Sequence, residues 1–250
     1  MAIDHSAVAA NLAGIRERIA RAAARAGRPA EDVTIVAISK TFPASAIRAA
    51  WDAGVRHFGE NRVQEWEGKR AEVADLAATW HLVGHLQSNK ARRAAQNFTA
   101  IDSVDSLDLA RRLDATLREE AGAGPDRGLR VLLEVRLAPE ETKSGVPPEA
   151  LEDLARSILG FSWLNLRGLM CIPPFFEQAE QARPYFRRLR ELRHTLRSSL
   201  AATPAAQATA KRGQVLLPVL SMGMSHDFEV AIEEGATEVR IGTALFGSRG

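Results

Sequence analysis

A lysine ends a short apolar stretch, Val33-Thr34-Ile35-Val36-Ala37-Ile38-Ser39-Lys40. The length of this stretch and its β-branched residues are typical of a strand buried on both faces. The chain has five lysines against 28 arginines, so a positive charge alone would not require a lysine here. Unlike a guanidinium, an ε-amine can lose its proton and attack a carbonyl compound. Lys40 is therefore the candidate for Schiff-base chemistry, and a solvated lysine beyond the strand is the simpler alternative.

Two polar segments near the C-terminus each follow or end an apolar run. Leu220-Ser221-Met222-Gly223-Met224-Ser225-His226-Asp227 contains two hydroxyls and a glycine, and Arg240-Ile241-Gly242-Thr243 contains a glycine and a third hydroxyl. Hydroxyls, closely approaching glycine backbone and the N-terminus of a helix predicted from Ser225 are groups that bind phosphate. Each segment alone has a simpler explanation, which is helix capping by Ser225 for the first and a tight turn at Gly242 for the second. Together the two segments predict a phosphate site.

Arg240 helps to choose the phosphorylated carbonyl compound. It lies two residues before Gly242, so both fall on one face of the last predicted strand. If that face lines the site, the guanidinium can pair with the ring nitrogen of pyridoxal 5′-phosphate (PLP) and keep it unprotonated. A sugar-phosphate aldolase that forms a Schiff base is the alternative, with Glu60, Asp102 and Glu134 as candidate acid–base groups.

An alternation of strands and helices must position these residues. Apolar runs predict strands near 33–40, 55–61, 80–86, 98–104, 129–137, 164–172, 215–220 and 238–245. Helical periodicity and end signals predict helices near 4–26, 43–53, 62–78, 89–97, 107–121, 147–160, 177–201 and 225–234, with a loop at 202–213. Eight such strands predict one α/β domain over residues 1–250, a (β/α)8 TIM barrel.

The predicted barrel has an extra N-terminal helix and no full helix after strand eight. We therefore expect the first helix to cover the surface that an eighth helix would occupy. An open doubly wound sheet is the alternative, but no Gly-x-Gly-x-x-Gly follows the first strand. In a closed barrel strand one adjoins strand eight, and sites lie at the carboxyl ends of the strands. Lys40 and the phosphate site should therefore meet at one mouth.

Composition argues against several other classes of protein. A net charge of +2 does not favour nucleic-acid binding, and no apolar run reaches the length of a membrane span. Charged residues near the N-terminus interrupt any signal-peptide core. The single cysteine, Cys171, excludes an internal disulfide and fits a reducing, cytoplasmic setting. His81 and His85 are too far apart on a strand to share a metal ion without other ligands, so no metal is expected.

Seven groups of segments, in this order, resemble the pyridoxal phosphate homeostasis protein family. They are Ala37-Ile38-Ser39-Lys40-Thr41, Phe58-Gly59-Glu60-Asn61 with Val63-Gln64-Glu65, residues 80–90, Lys143-Ser144-Gly145, Leu166-Arg167-Gly168-Leu169-Met170, Ser221-Met222-Gly223-Met224-Ser225 and residues 239–247. The resemblance implies a barrel like the N-terminal domain of alanine racemase, with PLP held as an internal aldimine on Lys40. His226 is a small departure, since an acidic residue is common there in the family.

The resemblance also implies roles for individual residues. The phosphate would meet Ser221, Ser225, Gly242 and Thr243, the ring nitrogen would meet Arg240, and Asn61 would be a further pocket residue. It implies a carrier or regulator that balances PLP and amino-acid or keto-acid pools without established catalytic turnover. The expected partners are PLP and apo PLP-dependent enzymes.

A PLP-dependent racemase or lyase is the alternative from another functional class. Racemisation needs a base on each face of the cofactor, and the one tyrosine, Tyr185, is predicted on an outer helix. The chain also ends close to strand eight, which leaves no room for a racemase-type second domain and favours a monomer. Lys143, in a loop near the mouth, is the alternative candidate for accepting PLP.

Overall fold

Eight parallel strands form a closed barrel in the computed structural model, which describes residues 4–120, 128–138, 144–211 and 215–247. Each strand pairs with its neighbours in sequence, and the first strand pairs with the eighth. The strands are Thr34–Ile38 (β1), His57–Glu60 (β2), Thr79–Leu82 (β3), Ala100–Val104 (β4), Leu129–Glu134 (β5), Leu164–Met170 (β6), Val219–Met224 (β7) and Glu238–Ile241 (β8). The predicted (β/α)8 barrel is confirmed, and the open sheet is excluded.

Helices surround the barrel and bury their apolar faces against the outer side of the strands. They are His5–Arg25 (α1), Ala44–Asp52 (α2), Val63–Arg70 (α3), Ala91–Asn97 (α4), Leu107–Glu120 (α5), Leu151–Ile158 (α6), Arg183–Leu200 (α7), Pro204–Lys211 (α8), Phe228–Glu233 (α9) and Thr243–Phe246 (α10). Within the described ranges, none of them is both long enough and apolar enough to cross a membrane.

Helix α1 fills the gap left by the short last helix, as predicted. Asp4 caps α1 by accepting hydrogen bonds from two backbone N–H groups of its first turn. The helix packs against α2, α9 and α10. Asn11 Nδ2 donates to the carbonyl of Leu245 at 3.0 Å, and Arg18 pairs with Glu229 at 2.8 Å. The N-terminal helix therefore closes the outer layer between the last strand and the first.

The predicted loop at 202–213 is wrong, because it contains α8. Pro204 occupies the first helical position, where its missing N–H is not needed. The hydroxyl of Thr203 accepts from the N–H of Ala206 at 3.2 Å and caps the helix. The alanines that follow have high intrinsic helix propensity, so small residues here indicate a helix rather than a flexible linker.

The boundaries near the phosphate end also differ from the prediction. Strand β7 starts at Val219 rather than near 215, because Leu217 turns the chain with a φ of 49° and Pro218 has no N–H for the sheet. Strand β8 ends at Ile241, and the residues predicted as its second half form α10. The helix predicted from Ser225 begins at Phe228. Ser225 therefore lies in a turn between β7 and α9.

Candidate functional site

A cavity of about 420 Å3 opens at the carboxyl ends of the strands, and its volume is within the usual range for small-molecule sites. Six of the eight predicted site residues line it: Lys40, Asn61, Ser225, Arg240, Gly242 and Thr243. The other lining residues are Ile38, Val83, Gly84, His85, Glu134, Ser144, Ile172, Met224 and His226. The folded chain therefore brings the predicted lysine, arginine and hydroxyls to one place. Ser221 and Gly223 lie outside the lining.

Lys40 lies two residues beyond the end of β1, and hydrogen bonds fix the backbone on both sides of it. The hydroxyl of Ser39 donates to Glu60 Oε1 at 2.7 Å. The carbonyl of Ser39 accepts from Lys69 Nζ at 2.9 Å. On the other side, the N–H of Thr41 donates to Glu65 Oε1, and Thr41 has a φ of 68°. This left-handed conformation is unusual for a threonine, so the surrounding contacts must hold it.

The ammonium of Lys69 contacts both carboxylates that hold the backbone around Lys40, those of Glu60 and Glu65. Lys69 Nζ lies 3.0 Å from Glu60 Oε1 and 2.8 Å from Glu65 Oε1, and the Glu60 side chain is only 1% exposed. Burial raises the pKa of Glu60 in spite of Lys69 and Ser39, which act to lower it. Burial also acts to raise the pKa of Glu65, but hydrogen bonds from Lys69 and Thr41 outweigh burial and lower it. Glu60 does not line the cavity.

Arg240 is held rigidly on the cavity wall. Its Nη1 donates to the carbonyl of Ser221 at 2.8 Å and to the hydroxyl of Ser221 at 2.9 Å. Its Nη2 donates to the carbonyl of Cys171 at 2.8 Å. Because the Arg240 residue is only 4% exposed, these acceptors are what make a buried guanidinium tolerable. Ser221 is fully buried and lies outside the cavity lining, so its hydroxyl orients the Arg240 guanidinium from within the protein.

Gly223 has a packing reason to be glycine. Its φ of 91° is a conformation that side chains disfavour. A Cβ built there would lie 2.5 Å from the Cβ of Ala231 and 2.9 Å from the Cα of Phe228. Glycine therefore lets the end of β7 approach α9 closely.

Ser225 connects the two segments that were predicted to bind phosphate. Its Oγ accepts hydrogen bonds from the N–H groups of Gly242 and Ala244, both at 3.2 Å. These bonds tie the turn after β7 to the start of α10. None of the described residues accepts the hydroxyl hydrogen of Ser225, so this hydrogen remains available to a ligand in the cavity. Thr243, the first residue of α10, also lines the cavity.

The cavity is also lined by Glu134, a carboxylate that the phosphate prediction does not use. Glu134, the last residue of β5, is 5% exposed and accepts from Ser144 Oγ at 3.1 Å. Val135 and Val146 form an isolated bridge, which brings residues 144–146 alongside the end of β5. His85 Nδ1 lies 3.3 Å from Asp105 Oδ2 near the mouth.

Deeper in the barrel, polar side chains pair with one another. His57 Nδ1 lies 3.0 Å from His81 Nε2, and His81 Nδ1 lies 2.8 Å from Asp102 Oδ2. Arg130 pairs with Glu238. Burial lowers the pKa of His57 to about 4, and the neighbouring His81 contributes to this. His81 is therefore part of a buried chain, whereas His85 is exposed at the mouth, and the two do not form a pair.

The whole chain resembles known proteins. The family described as alanine racemase, N-terminal domain, matches residues 3–250. A pyridoxal phosphate homeostasis protein of Pseudomonas aeruginosa is 46% identical over 245 residues, covering 98% of this chain and 96% of that protein. This chain belongs to the pyridoxal phosphate homeostasis protein family. The solved structure of its relative PipY from Synechococcus elongatus, with PLP bound, is 39% identical, with a TM-score of 0.77 over 96% of this chain and 100% of that one.

Alanine racemase shares only the fold with this family member. The enzyme from Enterococcus faecalis is 16% identical, with a TM-score of 0.63, and the match covers 99% of this chain but 59% of that enzyme. Tyr185, on α7, stacks against Phe176 with ring centroids 5.7 Å apart and does not line the cavity. Lys143, the other lysine considered as a PLP acceptor, lies outside the described residues.

Sequence reasoning missed the parts of the site that depend on distant segments. Lys69 lies on α3, and nothing in its local pattern marks a partner at Ser39, 30 positions earlier. Its one detectable signal was its type, since lysine is rare in this arginine-rich chain. The sequence indicates Glu134 only as one of three carboxylates that are candidate acid–base groups. Of those three, Glu134 alone lines the cavity.

Proposed function

We propose that this chain binds PLP covalently through Lys40 and acts as a PLP carrier or regulator rather than as an enzyme. One observation carries the proposal. The cavity combines Lys40, a fixed Arg240 and the hydroxyls of Ser225 and Thr243, in a chain that is 39% identical to a protein solved with PLP bound. PLP supplies a carbonyl group that reacts with amines.

The residues present fit the cofactor. The ε-amine of Lys40 would hold its carbonyl carbon, and the hydroxyls of Ser225 and Thr243, with the backbone at Gly242, would receive its phosphate. Arg240 donates three hydrogen bonds to protein oxygens, which fix its guanidinium at the cavity. A cation there would pair with the ring nitrogen and exclude a proton from it, which weakens the cofactor as an electron sink. Asn61 would complete the wall.

Two of the predicted site residues take supporting roles in this proposal. Ser221 would act through Arg240 rather than on the phosphate, because its hydroxyl accepts from that guanidinium. Gly223 would shape the turn before Ser225 by allowing close packing on α9. The aldolase alternative is less well supported, since Glu60 and Asp102 do not line the cavity.

The position of the chain's one tyrosine also supports the carrier role. The chain's one tyrosine packs on the outer layer and does not line the cavity, so it cannot supply the second base that a racemase needs. We propose that the chain works as a one-domain monomer in the cytoplasm. Its partners would be apo PLP-dependent enzymes that receive the cofactor.

The test is to incubate the PLP-loaded protein with an apo PLP-dependent enzyme and follow the recovery of that enzyme's activity. We expect recovery, with no accumulation of D-alanine when the loaded protein alone is incubated with L-alanine. Racemisation well above that of free PLP, and lost in Lys40→Ala, would instead make this protein an enzyme.

A further inference from the structure

One carboxylate that lines the cavity, Glu134, is left unused by the proposed PLP contacts. Glu134 ends β5, which lies across the eight-stranded barrel from β1 and β8. Lys40 follows β1, and Arg240 lies on β8. A molecule held by Lys40 and Arg240 would therefore present its other side towards Glu134. This is the side from which a second reactant can approach.

Glu134 has one oxygen that is satisfied and one that is not. Oε1 accepts the hydrogen bond from Ser144, and this fixes the carboxyl group. Oε2 is buried and has no hydrogen-bond partner among the described residues. A buried polar atom without a partner is destabilising, so such an atom at a cavity is a site for a donor carried by a ligand.

The charged groups around Glu134 determine which donor suits it. Burial is the largest influence on its pKa and raises it above the ordinary value for glutamate. The hydrogen bond from Ser144 opposes this shift, Asp105 reinforces it, and Arg240 and His85 oppose it. When ionised, a carboxylate whose pKa is raised is a stronger base than an ordinary glutamate, and its unpartnered Oε2 can accept a hydrogen bond from a cationic N–H donor.

We propose that Glu134 binds the ammonium group of an incoming primary amine and removes one of its protons. The proposal rests on the proposed attachment of PLP to Lys40. A primary amine is protonated near neutral pH and cannot attack a carbonyl carbon until it loses that proton. Glu134 is the buried carboxylate placed to receive it. Val83 and Ile172 also line the cavity and add apolar surface to it.

The exchange needs no other reactant. One proton passes from the ammonium to Glu134, and the neutral amine uses its lone pair to form a carbon–nitrogen bond at the carbon that is bonded to the Lys40 nitrogen. The two protons still on the attacking nitrogen pass to the Lys40 nitrogen, the bond from that carbon to Lys40 breaks, and the proton held by Glu134 returns to the released Lys40 amine. The overall change is an exchange of one amine for another, which is the chemistry that release of the cofactor requires.

The first test measures this exchange in the PLP-loaded protein by stopped-flow absorbance. The incoming amine is methylamine, glycine or Nα-acetyl-lysine, and the last mimics a lysine of a protein. We expect Glu134→Gln to slow exchange at least tenfold, and to abolish the fall in rate at low pH that follows protonation of Glu134. Glu119→Gln, on the exposed face of α5, is the matched control and should behave as the wild type. Equal rates in wild type and Glu134→Gln would overturn the proposal.

Comparing the amines identifies the natural source. A larger effect of Glu134→Gln with glycine than with Nα-acetyl-lysine would indicate a free amino acid, and the reverse would indicate a lysine side chain. Either result supports Glu134 as the amine site.

A second test does not use the cofactor. Infrared difference spectra of the PLP-free protein, wild type minus Glu134→Gln, isolate the carboxyl band of residue 134. We expect methylammonium chloride to shift this band, whereas methanol and sodium chloride leave it unchanged. A band unaffected by methylammonium would contradict the proposal. If the wild type binds no PLP in the first test, the proposed function fails, and this measurement still decides whether amines bind.

Discussion

The ammonium of Lys69 donates a hydrogen bond to the carbonyl oxygen of Ser39, 2.9 Å away, immediately before Lys40. The same ammonium contacts Glu60 and Glu65, and Glu65 accepts the N–H of Thr41 immediately after Lys40. A lysine on an outer helix thus helps to fix the backbone on both sides of Lys40. Preorganisation of this kind is carried by residues that do not touch the ligand themselves.

Lys69→Met should destabilise the protein and disturb the site together. Removing the ammonium leaves the buried Glu60 without its positively charged partner. Such a loss typically lowers the free energy of unfolding by about 3 kcal/mol. We expect that loss in urea denaturation. We also expect PLP affinity to fall by more than the unfolded fraction explains, because Ser39 loses its anchor. Lys211→Met, on α8, is the control for losing a surface lysine. A Lys69→Met protein with wild-type stability and wild-type PLP affinity would refute the role of Lys69 in fixing the backbone around Lys40.

Ser225→Ala should weaken PLP binding by roughly 1–2 kcal/mol. The change removes a hydroxyl donor to a charged phosphate and an acceptor for the N–H groups of Gly242 and Ala244. The measurement is equilibrium titration with PLP and with pyridoxal, which lacks the phosphate. Pyridoxal should bind the variant and the wild type about equally. If both ligands lost the same affinity, Ser225 would be a structural residue and the phosphate assignment would be wrong.

Gly223→Ala should destabilise the fold by about 2 kcal/mol. The new methyl group would overlap Ala231 and Phe228, and alanine is strained at a φ of 91°. Gly14→Ala is the matched control, because Gly14 is an exposed position in α1 with nothing within 4 Å of the added carbon. That change should raise the free energy of unfolding by up to about 1 kcal/mol. Equal effects of the two changes in thermal unfolding would show that the close packing of β7 on α9 is unimportant.

Periodic patterns predicted the barrel well because burial on a strand or helix leaves a local signature. The apolar spacing in α1 and the run before Lys40 are examples, and both elements lie close to the predicted bounds. The boundaries of β7 were wrong because Val215 to Leu217 are as apolar as a strand, while Leu217 and Pro218 turn the chain. Apolar composition alone does not distinguish these two outcomes.

The types of the site residues were predictable, but their contacts were not. Lys40 and Arg240 were found because a charge at the end of a buried strand needs an explanation. The action of Ser221 on Arg240 depends on neighbouring strands whose register no local pattern gives. Likewise, the unpartnered oxygen of Glu134 emerges only when the residues from Ser144 to Val146 fold beside β5.

The central claim is that Lys40 holds the cofactor, and one measurement tests it most directly. PLP-loaded protein is reduced with borohydride, digested and analysed by mass spectrometry to locate the modified lysine. We predict that the peptide containing Lys40 carries the pyridoxyl phosphate group. We also predict that Lys40→Ala remains folded but loses both this adduct and the visible absorbance band, whereas Lys211→Ala keeps both. An adduct on Lys143 or another lysine in the wild type, or an undiminished visible band in Lys40→Ala, would contradict this account.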